Sequence, residues 1–412
     1  MKLRQQLDRL YGRGNSPVAT EIGSLRLELE KIREQQTRHL ADEIDGYWAD
    51  EDSGQTLVID RSMPLQQQHA GVELEHYLSI DRKSFGLLFG DTDLFHFDPA
   101  RTVFLDTETT GLSGGAGTYV FLVGLGYFDE SRFVIRQFLM PGLGAEPAHL
   151  SALFRLVAGK GFEQLVTFNG RSFDLPLLND RYVLNRLASP FAGLKHLDLL
   201  HPSRLLWRRK FGNCSLQGLE QSVLRFYREG DIASHLIPRI FLTFARSGQT
   251  HGLRPVLRHN RTDILSMLSL CCVACRILCP AAKQAEIDSI SLARFYRIRG
   301  HRSLAIEWLR RAVSELPENS PDRLHAQSRL AELLRKSRCE SDALPLYLDL
   351  IQSWPDPPSS IFEGAAKILE HSKRDFAAAL EIVEQAQRLY PTSTFARRHH
   401  RLVCRRAGKR WY

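Results

Sequence analysis

The spacing of apolar and polar residues changes character twice along the chain. Residues 1 to about 45 are charged and helix-favouring, with Leu25, Leu27, Leu29 and Ile32 too sparse for a sustained heptad. Residues 46 to 100 mix short apolar pieces with Gly, Pro and Asp and read as a lead-in that packs on the next domain. From Thr102 the pattern sharpens. Thr102–Asp106, Tyr119–Tyr127 and Arg132–Leu139 are rich in β-branched and aromatic residues and predict three strands, close enough in sequence to pair antiparallel. Glycines separate the first two, over Gly111-Leu112-Ser113-Gly114-Gly115-Ala116-Gly117. A helix over Glu146–Ala158, a strand over Gln164–Phe168, a helix over Ser172–Leu187 and a short strand over His196–Leu199 follow, and helices dominate to Cys279. That order predicts an α/β domain, a mixed sheet flanked by helices, over about residues 100–282.

Beyond Ala285 the strand signals stop and a helical pattern repeats. Gly300-His301-Arg302-Ser303-Leu304-Ala305-Ile306-Glu307-Trp308-Leu309, Glu340-Ser341-Asp342-Ala343-Leu344-Pro345-Leu346-Tyr347-Leu348 and Arg374-Asp375-Phe376-Ala377-Ala378-Ala379-Leu380-Glu381-Ile382-Val383 are versions of one unit. Each runs into a proline, at Pro317, Pro355 and Pro391, in steps of 38 and 36 residues. Alanines at the close-packing positions and prolines at the boundaries resemble tetratricopeptide repeats, whose period is about 34 residues. Residues 283–412 are thus expected to form an all-α helical-repeat domain that binds a protein partner. Its basic tail, Arg397-Arg398-His399-His400-Arg401 and Arg405-Arg406 to Lys409-Arg410, suits either nucleic acid or a solvated helix face.

Composition narrows the class further. A net charge of +8 is a moderate basic excess, consistent with a polyanionic partner without requiring one. No apolar run approaches the roughly 20 residues that span a bilayer, and Met1–Gln6 lacks the apolar centre of a signal peptide, so a cytoplasmic protein without membrane contact is expected. Seven cysteines, four of them within Cys271–Cys279, do not make a disulfide framework. Cys272, Cys275 and Cys279 share one helix face, where small thiols packing an apolar surface account for them better than a metal does.

The chemistry concentrates in three stretches. In Val103-Phe104-Leu105-Asp106-Thr107-Glu108-Thr109-Thr110-Gly111-Leu112 a strand places Asp106 and Glu108 on one face, and buried carboxylates of this kind need a partner, commonly a hard divalent cation. Asn169-Gly170-Arg171-Ser172-Phe173-Asp174 brings a third acid into the first turn of a helix, a place the helix dipole favours by itself. His259-Asn260-Arg261-Thr262-Asp263 puts an imidazole and a fourth acid one helical turn apart, by itself a common surface arrangement. Asp198 reads as a helix cap. Arg204-Leu205-Leu206-Trp207-Arg208-Arg209-Lys210-Phe211 suits either a grip on a single strand or an amphipathic helix.

In this order the three stretches resemble the DEDD 3′–5′ exonucleases of the ribonuclease H-like superfamily. Phe104–Gly115, Phe168–Leu178, His259–Ser266 and the linking His196-Leu197-Asp198-Leu199-Leu200-His201-Pro202-Ser203-Arg204 are closer still to the YprB-type ribonuclease H-like domain. The resemblance covers roughly residues 100 to 275. It implies the ribonuclease H-like fold and a site in which Asp106, Glu108, Asp174 and Asp263 hold two Mg²⁺ or Mn²⁺ ions, with His259 as general base. One feature departs from the family pattern: the histidine branch usually spaces His and Asp by four residues, and His259 occupies the three-residue slot of the tyrosine branch. The resemblance further implies contacts to the terminal nucleotide from Thr109, Gly111 and Leu112. Asn169 either bonds the sugar–phosphate or caps the following helix. The expected function is metal-dependent hydrolysis of phosphodiesters from the 3′ end of single-stranded RNA or DNA. A non-catalytic nucleic-acid-binding or protein-interaction scaffold is the alternative, and endonucleolytic cleavage of RNA in hybrids a third reading.

Overall fold

Alternation in Thr102–Asp106 belongs to a strand near the middle of a seven-stranded sheet. The computed structural model describes residues 39–111, 117–279, 288–318, 320–391 and 393–407. They fall into two compact units, the first within Met1–His201 and Ser215–Arg276, the second within Pro202–Cys214 and Ile277–Tyr412. In chain order the strands are β1 (Tyr47–Glu51), β2 (Gly54–Pro64), β3 (Gln68–His69), β4 (Val72–Glu73), β5 (Thr102–Thr109), β6 (Val120–Asp129), β7 (Arg132–Leu139), β8 (Gln164–Thr167) and β9 (Lys195–Asp198). The large sheet runs β1-β2-β7-β6-β5-β8-β9, and β3 and β4 form a separate small hairpin. Pairing is antiparallel from β1 through β5 and parallel from β5 to β8 to β9, so the sheet is mixed.

The helices of the first unit are α1 (Arg82–Phe89), α2 (Glu146–Lys160), α3 (Asp174–Leu184), the start of α4 (Leu200–Phe211), the single turn α5 (Leu216–Leu219), α6 (Ile237–Ser247) and α7 (Leu253–Leu278), the last ending across the unit boundary. They cover both faces of the sheet. On one, Val103, Leu105, Val123 and Leu125 pack with Leu150, Leu153 and Val157 of α2 and with Leu178 and Tyr182 of α3. On the other, Leu57, Ile59, Phe121 and Leu122 pack with Phe241 and Phe244 of α6 and with Leu253, Val256 and Leu257 of α7. Burial of this much apolar surface on two faces is what drives the sandwich together.

The pattern missed part of this sheet. The lead-in expected over residues 1–99 supplies β1 and β2, and β2 pairs along its length with β7. Thr56, Leu57, Val58 and Ile59 are all buried, so the segment has no polar face and shows no alternation to read. The helix-favouring stretch before residue 39 lies outside the described residues.

Close approach of α7 to β6 depends on two glycines that lie across the ladder from Asp106 and Phe104. A Cβ on Gly124 would stand 2.1 Å from Asn260 Oδ1, and one on Gly126 2.4 Å from Ile264 Cγ2. Their missing side chains let the helix that carries His259 and Asp263 lie directly on the strand beside β5.

The second unit contains the rest of α4, then α8 (Ser289–Ile298), α9 (Arg302–Glu315), α10 (Pro321–Lys336), α11 (Glu340–Ser353), α12 (Ser359–Ile368), α13 (Phe376–Leu389) and α14 (Ser393–Arg406), each packed on the next. Ala305, Ala343 and Ala379, the matching positions of the three repeated stretches, are all fully buried. Packing bears on the two cationic segments whose readings were open. Within α4, Leu206 and Trp207 are buried and Arg209 pairs with Asp288 and Asp322, which supports the amphipathic-helix reading of Arg204–Phe211. In the basic tail, Arg398, Arg401 and Arg405 converge on the buried Glu370, so much of that charge serves the fold; Lys409 and Arg410 lie outside the described residues. Among the described residues no helix is long and apolar enough to cross a membrane.

The glycine argument is testable by denaturant unfolding. Gly124→Val is expected to destabilise the first unit by about 1–3 kcal/mol through overpacking. Gly159→Ala, in α2 with nothing within 4 Å of the added carbon, should leave stability unchanged or raise it by roughly 0.5–1 kcal/mol.

Candidate active site

Asp106 and Glu108 lie on the face of β5 turned towards α7, and the β5–β6 ladder slips by a bulge between Glu108 and Thr109. Asn260 fixes the first acid, its Nδ2 donating to Asp106 Oδ2 at 2.7 Å and to the Asp106 carbonyl at 3.0 Å. Gln137 Nε2 in turn donates to Asn260 Oδ1 at 2.7 Å and to the Leu257 carbonyl at 2.8 Å. Gln137 and Asn260 are both fully buried, so this chain of bonds is screened from water and locks strand to helix.

Asp174 opens α3. The chain reaches it through a turn in which Asn169 takes the left-handed conformation (φ 67°), one that Asn accepts more readily than most residues. Asp198 at the end of β9 holds that turn: Oδ1 accepts from the Asn169 backbone N–H at 2.8 Å and Oδ2 from that of Arg171 at 3.0 Å. Its Oδ1 also accepts from Leu200 N–H at 2.9 Å, so the capping role expected of Asp198 is one of two it performs. Thr107, on the opposite face of β5 from its two acidic neighbours, donates its hydroxyl to Asp174 Oδ1. The α3 N-terminus has no side-chain cap, and the Asn169 side chain carries no hydrogen bond among the described residues, which removes the capping alternative for it.

His259 and Asp263 come from α7, and a loop after α5 wraps over both. Left-handed residues Arg225 and Gly230 bend this loop so that Arg228 and Asp231 meet the helix. Arg228 is nearly buried and binds four groups. Its Nη2 donates to Asp263 Oδ1 and, at 2.5 Å, to Glu220 Oε1; its Nε donates to Glu220 Oε2 at 2.7 Å; its Nη1 donates to Asp231 Oδ2 at 3.2 Å and lies 3.2 Å from His259 Nδ1. His259 Nδ1 lies 2.9 Å from Asp231 Oδ1, while Nε2 is 3.9 Å from Asp263 Oδ2.

The electrostatics are those of crowded acids. Burial, and then the charges of Asp263, Glu108 and Asp174, push Asp106 well above the usual carboxylate range. Burial and the charges of Asp263, Asp174 and Asp231 do the same to Glu108. Burial raises Asp174 to about 6 in spite of the Thr107 hydrogen bond, and raises Asp263 in spite of the Arg228 charge. Four buried carboxyls, two of them raised further by the charges of the others, are an all-oxygen donor set of the kind hard divalent cations take, and a cation would offset that charge. The donor chemistry therefore fits Mg²⁺ or Mn²⁺. The arrangement is not drawn together around an ion: among the described residues no group of three or more His, Cys, Asp or Glu side chains is placed to hold one, and Arg228 is the cation that Asp263 holds.

All five residues expected to be catalytic line one cleft of about 610 Å³, together with Thr109, Gly111 and Asn169. Phe173, Pro176, Leu177 and Asp180 form one wall, and Ser234 and Pro238 the other. Leu112 lies outside the described residues. The ion pair of Asp263 comes from Arg228 and not from the neighbouring Arg261, which makes no salt bridge among the described residues. Sequence reasoning passed over Thr107, Gln137, Glu220, Arg228, Asp231 and Asn260. A signal existed for two of them: Gln137 interrupts the buried alternation Phe133, Ile135, Leu139, and Asn260 interrupts the apolar stripe Val256, Leu257, Ile264, Leu268. A polar residue on an apolar face must have a buried partner. Nothing local marks Arg228 or Asp231.

Comparison with known proteins agrees with this architecture. A ribonuclease H superfamily domain model matches residues 103–274, from β5 into the last turns of the helix carrying His259 and Asp263. That domain has a nuclease-type fold. The chain carries a ribonuclease H superfamily domain and belongs to the same family as the uncharacterized protein YprB of Bacillus subtilis (strain 168), with which it is 33% identical over 288 residues, covering 69% of this chain and 68% of that protein.

The raised carboxyls predict an inverted pH dependence in chelator-treated protein. Each binds its proton more tightly folded than unfolded, so the stability it contributes is present at low pH. That stability is lost as pH rises from the unfolded value of 3.8 through about 6 for Asp174, and continues to fall above that for Asp106 and Glu108. Thermal melts should show the first unit losing several degrees between pH 5 and pH 8, Mn²⁺ restoring them, and Asp106→Asn flattening the profile. A melting temperature that rises steadily over that range would contradict the charge crowding.

Proposed function

We propose that the protein is a metal-dependent 3′–5′ exonuclease acting on single-stranded RNA or DNA in the cytoplasm. The convergence of Asp106, Glu108, Asp174, His259 and Asp263 on one cleft carries this reading. Two Mg²⁺ or Mn²⁺ ions, held by the four acids, would supply the positive charge that offsets the oxyanions on either side of the phosphorus. His259 takes the proton of the attacking water, because its ring faces the cleft beside Asp263. Asn169 has an amide without a hydrogen-bond partner among the described residues and so can bind the sugar–phosphate, and the backbone at Thr109 and Gly111 borders the place of the terminal nucleotide. The exposed Phe173 ring, 60% accessible, offers that nucleotide an apolar face. We further infer that the helices after residue 288 form a tetratricopeptide-like module for a protein partner, since Ala305, Ala343 and Ala379 are buried in register with the repeat. The cysteines form no disulfide among the described residues, which suits a reducing compartment.

One observation favours the scaffold reading: Arg228 neutralises Asp263, as a nucleic-acid-binding unit without metals would require. Calorimetric titration with Mn²⁺ separates the two, because a scaffold has no use for a two-ion site.

Full-length protein should shorten 3′-labelled oligonucleotides with Mg²⁺ or Mn²⁺ and leave a circular single strand intact. Asp106→Ala should lower the rate by about 10²–10³-fold or more. Equal rates for wild type and Asp106→Ala would sink the proposal, and cleavage of the circle would move it to an endonuclease.

A further inference from the structure

His259 stands at a spacing from Asp263 that the histidine branch of these nucleases does not use, yet its ring is held as firmly as any group in the cleft. Its side chain is 12% exposed, and three charged groups face it. Asp231 Oδ1 lies 2.9 Å from Nδ1, Arg228 Nη1 3.2 Å from the same nitrogen, and Asp263 Oδ2 3.9 Å from Nε2. A neutral imidazole carries one proton, and these distances decide where it sits.

With the proton on Nε2, the Nδ1 lone pair would accept from Arg228 but would also press against the lone pairs of Asp231 at 2.9 Å. The Nε2 proton would then have only Asp263 to reach, at 3.9 Å, too far for a hydrogen bond. With the proton on Nδ1, one charge-assisted bond of 2.9 Å forms to Asp231, and Nε2 presents a bare lone pair towards the cleft. Arg228 then keeps its Nη1 proton for Asp231 Oδ2, at 3.2 Å. The second arrangement gives up the Arg228 contact to Nδ1 for a charge-assisted bond at 2.9 Å, whereas the first leaves the imidazole proton unsatisfied and two lone pairs opposed.

We propose that Asp231 is the positioning residue of the site: it holds His259 in the Nδ1-protonated tautomer with Nε2 bare and facing the cleft. Arg228 braces the pair by binding Asp231 and Asp263 at once, so the loop 225–233 and the helix α7 are fixed against each other at this point. The loop thereby supplies what the three-residue spacing on the helix does not. The inference rests on the proposed role of His259 as base, whereas the pairing itself rests on geometry alone.

The test uses full-length protein labelled with ¹⁵N-histidine, the His259 resonances being identified as those missing from His259→Gln. Wild type should show the proton on Nδ1, and Asp231→Asn, whose amide donates to Nδ1, should move it to Nε2. In the oligonucleotide assay Asp231→Asn should lower kcat by about 100-fold or more with KM and calorimetric Mn²⁺ affinity unchanged, the loss that the wrong tautomer produces in a hydrolase. Asp231→Glu should recover part of kcat, and with the wild-type tautomer it carries the test should Asp231→Asn not fold. A wild-type proton on Nε2, a wild-type kcat in Asp231→Asn, or a loss of Mn²⁺ affinity in place of kcat would overturn the proposal. Wild type that has the Nδ1 proton but degrades no oligonucleotide would overturn the exonuclease reading and leave the Asp231–His259 pairing standing.

Discussion

Four carboxyls are buried together around the end of β5, and the first unit is arranged around the cost of burying them. Burial raises Asp106, Glu108, Asp174 and Asp263 above their ordinary range, and the charges of the others raise Asp106 and Glu108 further. Each of three is also held by a neutral or cationic donor: Asp106 by the Asn260 amide, Asp174 by the Thr107 hydroxyl, and Asp263 by the Arg228 guanidinium. Groups so costly to bury cluster at functional sites, and these border a cleft of about 610 Å³.

Arg228 links the two halves of that solution. Burial raises its partner Glu220 above the usual carboxylate range, against the hydrogen bond from Arg228. Burial weakens the guanidinium, but the bond to Glu220 and the charge of Asp263 more than restore it. Removing either partner would leave the other buried and uncompensated. The same residue therefore ties the loop to the helix and sets the charge that the cleft presents.

The strands and acids of the domain were legible because their signals are local. Arg132–Leu139 was read with its observed limits, and the first, second, fourth and fifth expected strands overlap those found, with ends displaced by one to three residues. The acids stood out because Asp106 and Glu108 end an apolar run. β2 was not legible: a strand buried on both faces looks, over four residues, like any short apolar piece. Trp207 and the tail arginines left their readings open, since a cation-rich helix reads alike whether its charges meet solvent, nucleic acid or a buried glutamate.

By itself the sequence determined which residues alternate, where strands end in acids, and where Ala and Pro mark a repeating helical unit, because these follow from the period of a strand or a helix. Only tertiary structure decided that residues 47–64 complete the sheet, that Gly124 and Gly126 admit α7, and that Arg228 and Asp231 reach His259 across about 30 positions of chain. Such contacts depend on how a loop bends and how closely two elements approach. No spacing along the chain encodes either, which is why the partner of His259 had to be found in space.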